Sequence, residues 1–163
     1  MAMVYVSIGS NIDRRQNIAA ALQMLAEEYG ELQQSSVYES AAVGFDSPAF
    51  YNLVVGFQTA DAPRTVQDKL HDMENRCGRL RTAELAARTM DLDLLLYDDL
   101  VISEGKLVLP RSDITRYAFV LGPLAEIAGE RRHPVSGERF ADMWSAFDVQ
   151  QQPLQRVSWP AGC

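Results

Sequence analysis

Apolar and polar positions alternate along Val4-Tyr-Val-Ser-Ile8, the period-2 signature of a strand, and the run ends in Gly9-Ser-Asn11. From Ile12 to Tyr29 the period lengthens: Ile18, Leu22 and Leu25 recur at helical spacing, and Gly30 is a stop signal. Leu32 to Tyr38 predicts a second strand, carrying Leu32, Val37 and Tyr38 among polar residues, and Glu39 to Pro48 an irregular loop. Phe50 to Thr59, rich in Val and Phe, predicts a third strand. Asp61-Ala-Pro63 opens a second helix, with Pro near the first turn and Val66, Leu70, Met73 and Cys77 at helical spacing. Met90 to Tyr97 reads as a buried strand, and Val101-Ile102 with Lys106-Leu-Val-Leu109 as a short hairpin across Ser103-Glu-Gly105. Ala118 to Ala128 predicts a helix with Pro123 near its beginning, and Phe140 to Phe147 a last helix ahead of a polar tail. The order is β-α-β-β-α-β: an α+β chain with a ferredoxin-like core, a mostly antiparallel sheet with helices on its faces. A single domain over residues 1–163 is expected, its last stretch from about residue 148 packed loosely.

Composition narrows the function classes. The 47% hydrophobic and 23% charged content over 163 residues is that of an ordinary globular domain. Fifteen Lys and Arg against 22 Asp and Glu leave a net charge of −7, which argues against nucleic acid as a partner. No apolar run approaches a membrane span, and Met-Ala-Met-Val-Tyr5 lacks the features of a signal peptide. Cys77 and Cys163 make no disulfide framework, and a reduced, cytoplasmic enzyme fits best. His71 and His133 have no zinc-ligand spacing.

The charged residues then change the picture of Met90-Asp-Leu-Asp-Leu-Leu-Leu-Tyr97. Residues two apart share one strand face, so Asp91 and Asp93 project together, roughly 7 Å apart. Two like charges in an apolar strand repel, and burying either unpaired would cost several kcal/mol. Arginines or divalent cations are the usual compensators, and carboxylate oxygens are what Mg²⁺ takes while it holds substrate phosphates. Arg76, Arg79, Arg81 and Arg88 lie just upstream, a dense cationic segment in an acidic chain. This constellation reads equally as structural ion pairs and as a site for a nucleotide polyphosphate with its magnesium. The apolar setting of the aspartates tilts towards the second, as does the small-residue connection Thr82-Ala-Glu-Leu-Ala-Ala87, which could move over a ligand. Gly9-Ser-Asn11 is not a phosphate loop, because the chain has no G-x-x-x-x-G-K-[ST], and a glycine at a strand-to-helix turn is far more often just the turn.

Arg88-Thr-Met-Asp-Leu-Asp-Leu-Leu95 resembles the signature R-x-x-D-[LIV]-D-[LIVM]-[LIVM] of 6-hydroxymethyl-7,8-dihydropterin pyrophosphokinases. Ser7-Ile-Gly-Ser-Asn11, Phe50-Tyr-Asn52, Glu74-Asn-Arg-Cys-Gly-Arg-Leu-Arg81 and Phe119-Val-Leu-Gly-Pro-Leu-Ala-Glu-Ile127 match that family in order and approximate spacing. The resemblance runs from about Val4 to about Trp144. It implies transfer of pyrophosphate from ATP to the hydroxymethyl group of a reduced pterin, with release of AMP, in folate biosynthesis. It further implies two Mg²⁺ ions held by Asp91 and Asp93, and phosphates clamped by Arg79, Arg81 and Arg88. The pterin would lie between Phe50 and Phe119, pair at its edge with Asn52, and meet backbone groups of the loop that includes Ser40, Val43 and Gly44. His71, Glu74, Leu94, Lys106 and Arg111 would stand on the nucleotide side. A monomer or weak dimer is expected.

The chain departs from the family's pattern at definite places. Ser40-Ala41-Ala42 stands where Thr-Pro-Pro is common, Leu85 where a Trp commonly precedes the signature, and Pro110-Arg111 where the family has Pro-His. Tyr117, with Arg116 before it, replaces an arginine two residues ahead of the second stacking aromatic. These changes leave a rival, a non-catalytic or altered-specificity paralogue that binds a pterin or nucleotide. Asp91, Asp93 and Arg88 argue against it, because a pure binder gains little from two repelling carboxylates. A third reading is an unrelated α+β phosphotransferase or interaction domain.

Overall fold

A computed structural model describes residues 1–40, 49–76 and 90–158 of the chain. In chain order it contains β1 (Ala2–Ser10), α1 (Arg14–Tyr29), β2 (Gln33–Gln34), β3 (Tyr38–Ser40), β4 (Phe50–Thr59), α2 (Pro63–Arg76) and β5 (Asp91–Tyr97). There follow β6 (Ile102–Glu104), β7 (Leu107–Leu109), α3 (Asp113–Arg116), α4 (Ala118–Ala128), α5 (Phe140–Ala146) and β8 (Gln155–Arg156). The main sheet runs β5-β1-β4-β3-β8, with β2 also on β4, and every pairing is antiparallel. Counting β2 and β3 as one divided strand, this is the order expected of a ferredoxin-like core.

Alternation sorts the strand residues into two apolar layers. Val4, Val6 and Ile8 of β1, Leu53, Val55 and Phe57 of β4, and Leu92 and Leu94 of β5 pack against Ile18, Ala21 and Leu25 of α1 and Val66, Leu70 and Met73 of α2. Tyr5, Val54, Leu95 and Leu96 point the other way, onto Ile114 of α3, Val120, Leu121 and Leu124 of α4, and Phe140 of α5. Leu95 and Leu96 share that second layer because the β1–β5 register shifts between Tyr5 and Val6. Strands covered on both faces read as near-continuous apolar runs, as the central β1 and β4 do and as β5 does beyond Asp93. Among the described residues no helix is long and apolar enough to cross a membrane.

Four local readings are corrected by the structure. The strand expected over Leu32–Tyr38 is broken into β2 and β3. The Ser35 N–H donates to the Val54 carbonyl at 2.9 Å, but the Val54 N–H is accepted by the Ser35 hydroxyl, also at 2.9 Å, so a side chain interrupts the ladder. β3 then extends into the expected loop as far as Ser40. Pro123 is the sixth residue of α4 rather than near its start, and its missing N–H deprives the Phe119 carbonyl of its helical donor. The hairpin turns one residue later than expected, at Gly105-Lys106, with Gly105 at φ 61°. The stretch after Phe147 carries β8, which pairs with β3, and Gln152, whose side chain accepts the Ala118 N–H at 3.0 Å and donates to the Arg116 carbonyl at 2.9 Å.

The break in the second strand is fastened from the opposite layer. Glu126 of α4 accepts from the Ser36 N–H and hydroxyl and from the Tyr38 hydroxyl, the last two at 2.7 Å. Partial burial pushes the Glu126 carboxyl up, but the bonds from Ser36 and Tyr38 outweigh it and hold the group below the usual glutamate range. Burial and the same carboxylate raise the Tyr38 phenol to about 12. A depressed folded pKa stabilises the fold above the unfolded value, and this stability disappears as pH falls through the folded value. Glu126→Gln is therefore expected to lower the urea midpoint near neutral pH, with the deficit shrinking as pH falls through the depressed carboxyl value. A deficit that stays constant from neutral pH down through the acid range would show that the charge on Glu126 contributes nothing.

Candidate functional site

Directly opposed residues in antiparallel strands share a face, so the register of β1 with its two neighbours sets out the site in rows. Val54, Ser7 and Asp93 form one row, and Tyr38, Asn52, Gly9 and Asp91 the next. Ser40 stands opposite Phe50 one step further on. Val54 lies in the layer covered by α4, which fixes the face for every residue in these rows. Asp91, Asp93, Asn52, Phe50 and Ser40 therefore all look towards the α4 side, where Phe119 occupies the first turn of that helix. Phe119 is half-buried and stacks on Tyr117 with ring centres 4.9 Å apart; Phe50 is also half-buried.

Gly9 is the low point of this surface. A Cβ on it would lie 3.0 Å from Asn52 Oδ1 and 3.8 Å from the Phe50 ring. With no side chain there, the row between Asn52 and Asp91 is left as an open floor. Asn52 is 5% exposed and donates to the Ser40 hydroxyl at 2.7 Å, so its amide is held in one orientation.

The paired carboxylates, Asp91 and Asp93, sit on the outermost strand, β5. β5 has β1 on one side; on the other a cavity of about 540 Å³ is lined by Gln67, His71 and Glu74 of α2, by Asp91 to Leu94, and by Lys106 and Arg111. Glu74, 7% exposed, accepts the Leu92 N–H at 2.8 Å, occupying an amide that no strand pairs among the described residues. His71 Nδ1 lies 3.4 Å from Glu74 Oε1 with its own side chain 67% exposed. Arg111 continues the edge: its N–H donates to the Leu95 carbonyl, its Nε bonds Asp113 at 3.1 Å and its Nη2 approaches Asp93 at 3.6 Å. Burial alone would lower the Arg111 pKa, but Asp93, Asp113 and Asp91 raise it overall.

The sequence of the whole surface can now be compared with known proteins. The family described as 7,8-dihydro-6-hydroxymethylpterin-pyrophosphokinase (HPPK) matches residues 5–129. The chain belongs to the HPPK family. It is 34% identical over 134 residues to 2-amino-4-hydroxy-6-hydroxymethyldihydropteridine pyrophosphokinase of Haemophilus influenzae, covering 80% of this chain and 84% of that protein. The enzyme of the same name from Aquifex aeolicus is 36% identical over 138 residues, 83% of this chain and 86% of that one. The chain is also 35% identical over 137 residues to folic acid synthesis protein fol1 of Pneumocystis carinii, of which it spans only 18%. Among solved structures, HPPK-DHPS of Plasmodium falciparum has the same fold, with a TM-score of 0.70 at 15% identity over 89% of this chain and 43% of that one.

Of the residues expected at an HPPK site, the structure brings Asp91, Asp93, Ser40, Phe50, Asn52 and Phe119 to one face. It also brings His71, Glu74, Leu94, Lys106 and Arg111 to the cavity along β5. Arg79, Arg81, Arg88, Val43, Gly44 and Leu85 lie outside the described residues. Sequence reasoning passed over three contributors. Gln67 lines the cavity, and its spacing of four and seven residues from His71 and Glu74 was the available signal. Gly9 was set aside as a turn glycine, and Asp113 gave no signal, since only the path after β7 shows that it braces Arg111.

Removing the Glu74 carboxylate leaves the Leu92 N–H buried without an acceptor. Glu74→Ala is expected to cost about 2 kcal/mol and to speed hydrogen exchange at the Leu92 amide, whereas Glu74→Gln keeps an acceptor and most of the stability. Unchanged exchange at Leu92 in the alanine variant would mean that the bond does not anchor the edge.

Proposed function

We propose that this chain transfers pyrophosphate from ATP to 6-hydroxymethyl-7,8-dihydropterin, releasing AMP, with Mg²⁺ held at Asp91 and Asp93. The observation that carries this reading is the shared face. A carboxylate pair and an amide-edged aromatic surface lie on one side of one sheet, two strands apart, with a bare glycine between them. An acceptor ring on Asn52 and a polyphosphate along β5 then meet near Gly9 and Asp91.

The roles follow from the residues. Asn52 offers a donor and an acceptor to the edge of a flat heterocycle, and the Ser40 bond fixes which way round the amide sits. Phe50 and Phe119 supply the two faces on which such a ring stacks. Two carboxylates from alternate positions of one strand, beside a cavity of polyphosphate size, are hard oxygen donors of the type Mg²⁺ prefers, so the residues fit the ion. When bound, the metal neutralises phosphate charge and lowers the barrier to in-line displacement. In that displacement the hydroxymethyl oxygen forms a bond to the β-phosphorus, the bond from that phosphorus to the bridging oxygen of AMP breaks, and the hydroxyl proton is released. Arg111, placed beside Asp93, and Lys106 add positive charge along the same cavity. We assign Arg79, Arg81 and Arg88 to the phosphates and Val43 and Gly44 to the pterin on the family resemblance alone.

The direct assay is AMP formation from ATP and Mg²⁺ with and without 6-hydroxymethyl-7,8-dihydropterin. AMP that depends on the pterin is the expected result; pterin binding without AMP would favour the non-catalytic paralogue. Asp91→Ala and Asp93→Ala are each expected to lower turnover by several orders of magnitude with the fold intact, through loss of charge stabilisation worth several kcal/mol. Near-normal rates in both would make the pair structural. Phe50→Ala or Phe119→Ala is expected to weaken pterin binding by about 1–3 kcal/mol while ATP affinity stays close to the parent's. Equal losses for both ligands in a calorimetric titration would overturn the stacking assignment.

A further inference from the structure

Arg111 stands where the family pattern has histidine, and its geometry gives it a task that a neutral imidazole cannot perform. Its backbone is pinned to β5 by the bond to the Leu95 carbonyl. The guanidinium holds Asp113 through Nε, to Oδ2 at 3.1 Å, and lies against Asp93 through the neighbouring Nη2, to Oδ1 at 3.6 Å. Asp113 is the first residue of α3 and Asp93 is mid-strand in β5, so the fork bridges two elements across the cavity mouth.

We propose that Arg111 is a resident counter-ion of the aspartate pair, and that a divalent cation must displace its Asp93-facing Nη2 to bind there. The inference rests on the assignment of Asp91 and Asp93 to the metal. A guanidinium beside the carboxylate already neutralises part of its charge and repels an incoming cation, so the metal by itself binds against competition. The Asp113 bond is made by a different nitrogen, Nε, and does not have to break when Nη2 turns from Asp93, which keeps the displaced arginine at the cavity. There it meets the phosphates of an incoming nucleotide, for which its planar fork is suited. Nucleotide thus draws the competitor away from Asp93, and metal and nucleotide favour each other. By reciprocity the same factor appears whichever of the two binds first. The device makes the site selective for the metal–nucleotide complex over the free metal.

The test measures Mn²⁺ binding by the electron paramagnetic resonance signal of the free ion, with and without a non-hydrolysable ATP analogue. The parent, R111Q and R111H are compared at about pH 8, where an ordinary imidazole is neutral. Without nucleotide, R111Q and R111H are expected to bind Mn²⁺ about two- to fivefold more tightly than the parent, the range for releasing a half-exposed ion pair. The enhancement of Mn²⁺ binding by the analogue should shrink by a similar factor. R111K keeps the charge without the fork and should fall between parent and R111Q; it serves in place of R111Q if circular dichroism shows that variant unfolded. Equal or weaker Mn²⁺ affinity in the variants would overturn the inference. D91N and D93N separate this failure from that of the metal assignment: if they leave Mn²⁺ binding unchanged, the pair is not the metal site. If they abolish binding while Arg111 variants match the parent, only the counter-ion role falls.

Discussion

The pairing of β1 with β4 on one side and β5 on the other is antiparallel, and from Val6 to Gly9 each pairing keeps one register. That register decides which side chains can act together. A slip of one residue in either pairing would send Asp91 and Asp93, or Asn52 and Phe50, to the layer held by α1 and α2. The apolar alternation guards against the slip, because Val6, Ile8, Leu53, Val55, Leu92 and Leu94 would all leave their core at once. Burial of these residues, each worth on the order of 2 kcal/mol, thus also locks the functional rows in place.

The second organising feature is the open edge of β5. A free edge invites pairing with another chain, and among the described residues it is covered by the Glu74 side chain and the Arg111 backbone rather than by a strand. Glu74 takes the Leu92 amide, the backbone of Arg111 takes the Leu95 carbonyl, and the Leu94 position between them faces the cavity. The edge is therefore satisfied where it must be buried and open where a nucleotide would lie. The acidic pair is placed where this edge meets the α4 side, beside Arg111 and away from the apolar interior behind Leu92 and Leu94.

Much of this was legible in the sequence because it depends on short-range periodicity. The placement of Asp91 and Asp93 on one face follows from spacing alone, as does that of Asn52 with Phe50. The strand order followed from the alternation of periods along the chain. What was not legible depends on tertiary detail. The Ser35 hydroxyl that breaks the second strand replaces a backbone acceptor, and no propensity signals such a substitution. Gly9 looked like an ordinary turn glycine because its function is to be empty, and the Asn52 amide that would fill against it lies on another strand. Arg111 was readable as a departure from the family, but its bridge between Asp93 and Asp113 required the path after β7.

The central claim is that pterin and nucleotide are held on one face of the sheet and meet at Gly9. A crystal structure with 6-hydroxymethyl-7,8-dihydropterin, Mg²⁺ and a non-hydrolysable ATP analogue tests it most directly. The account predicts the pterin ring between Phe50 and Phe119 with its edge on Asn52, metal density on Asp91 and Asp93, and the polyphosphate running from β5 towards Gly9. Pterin bound away from Asn52, or phosphates and metal lying apart from the aspartate pair, would contradict it.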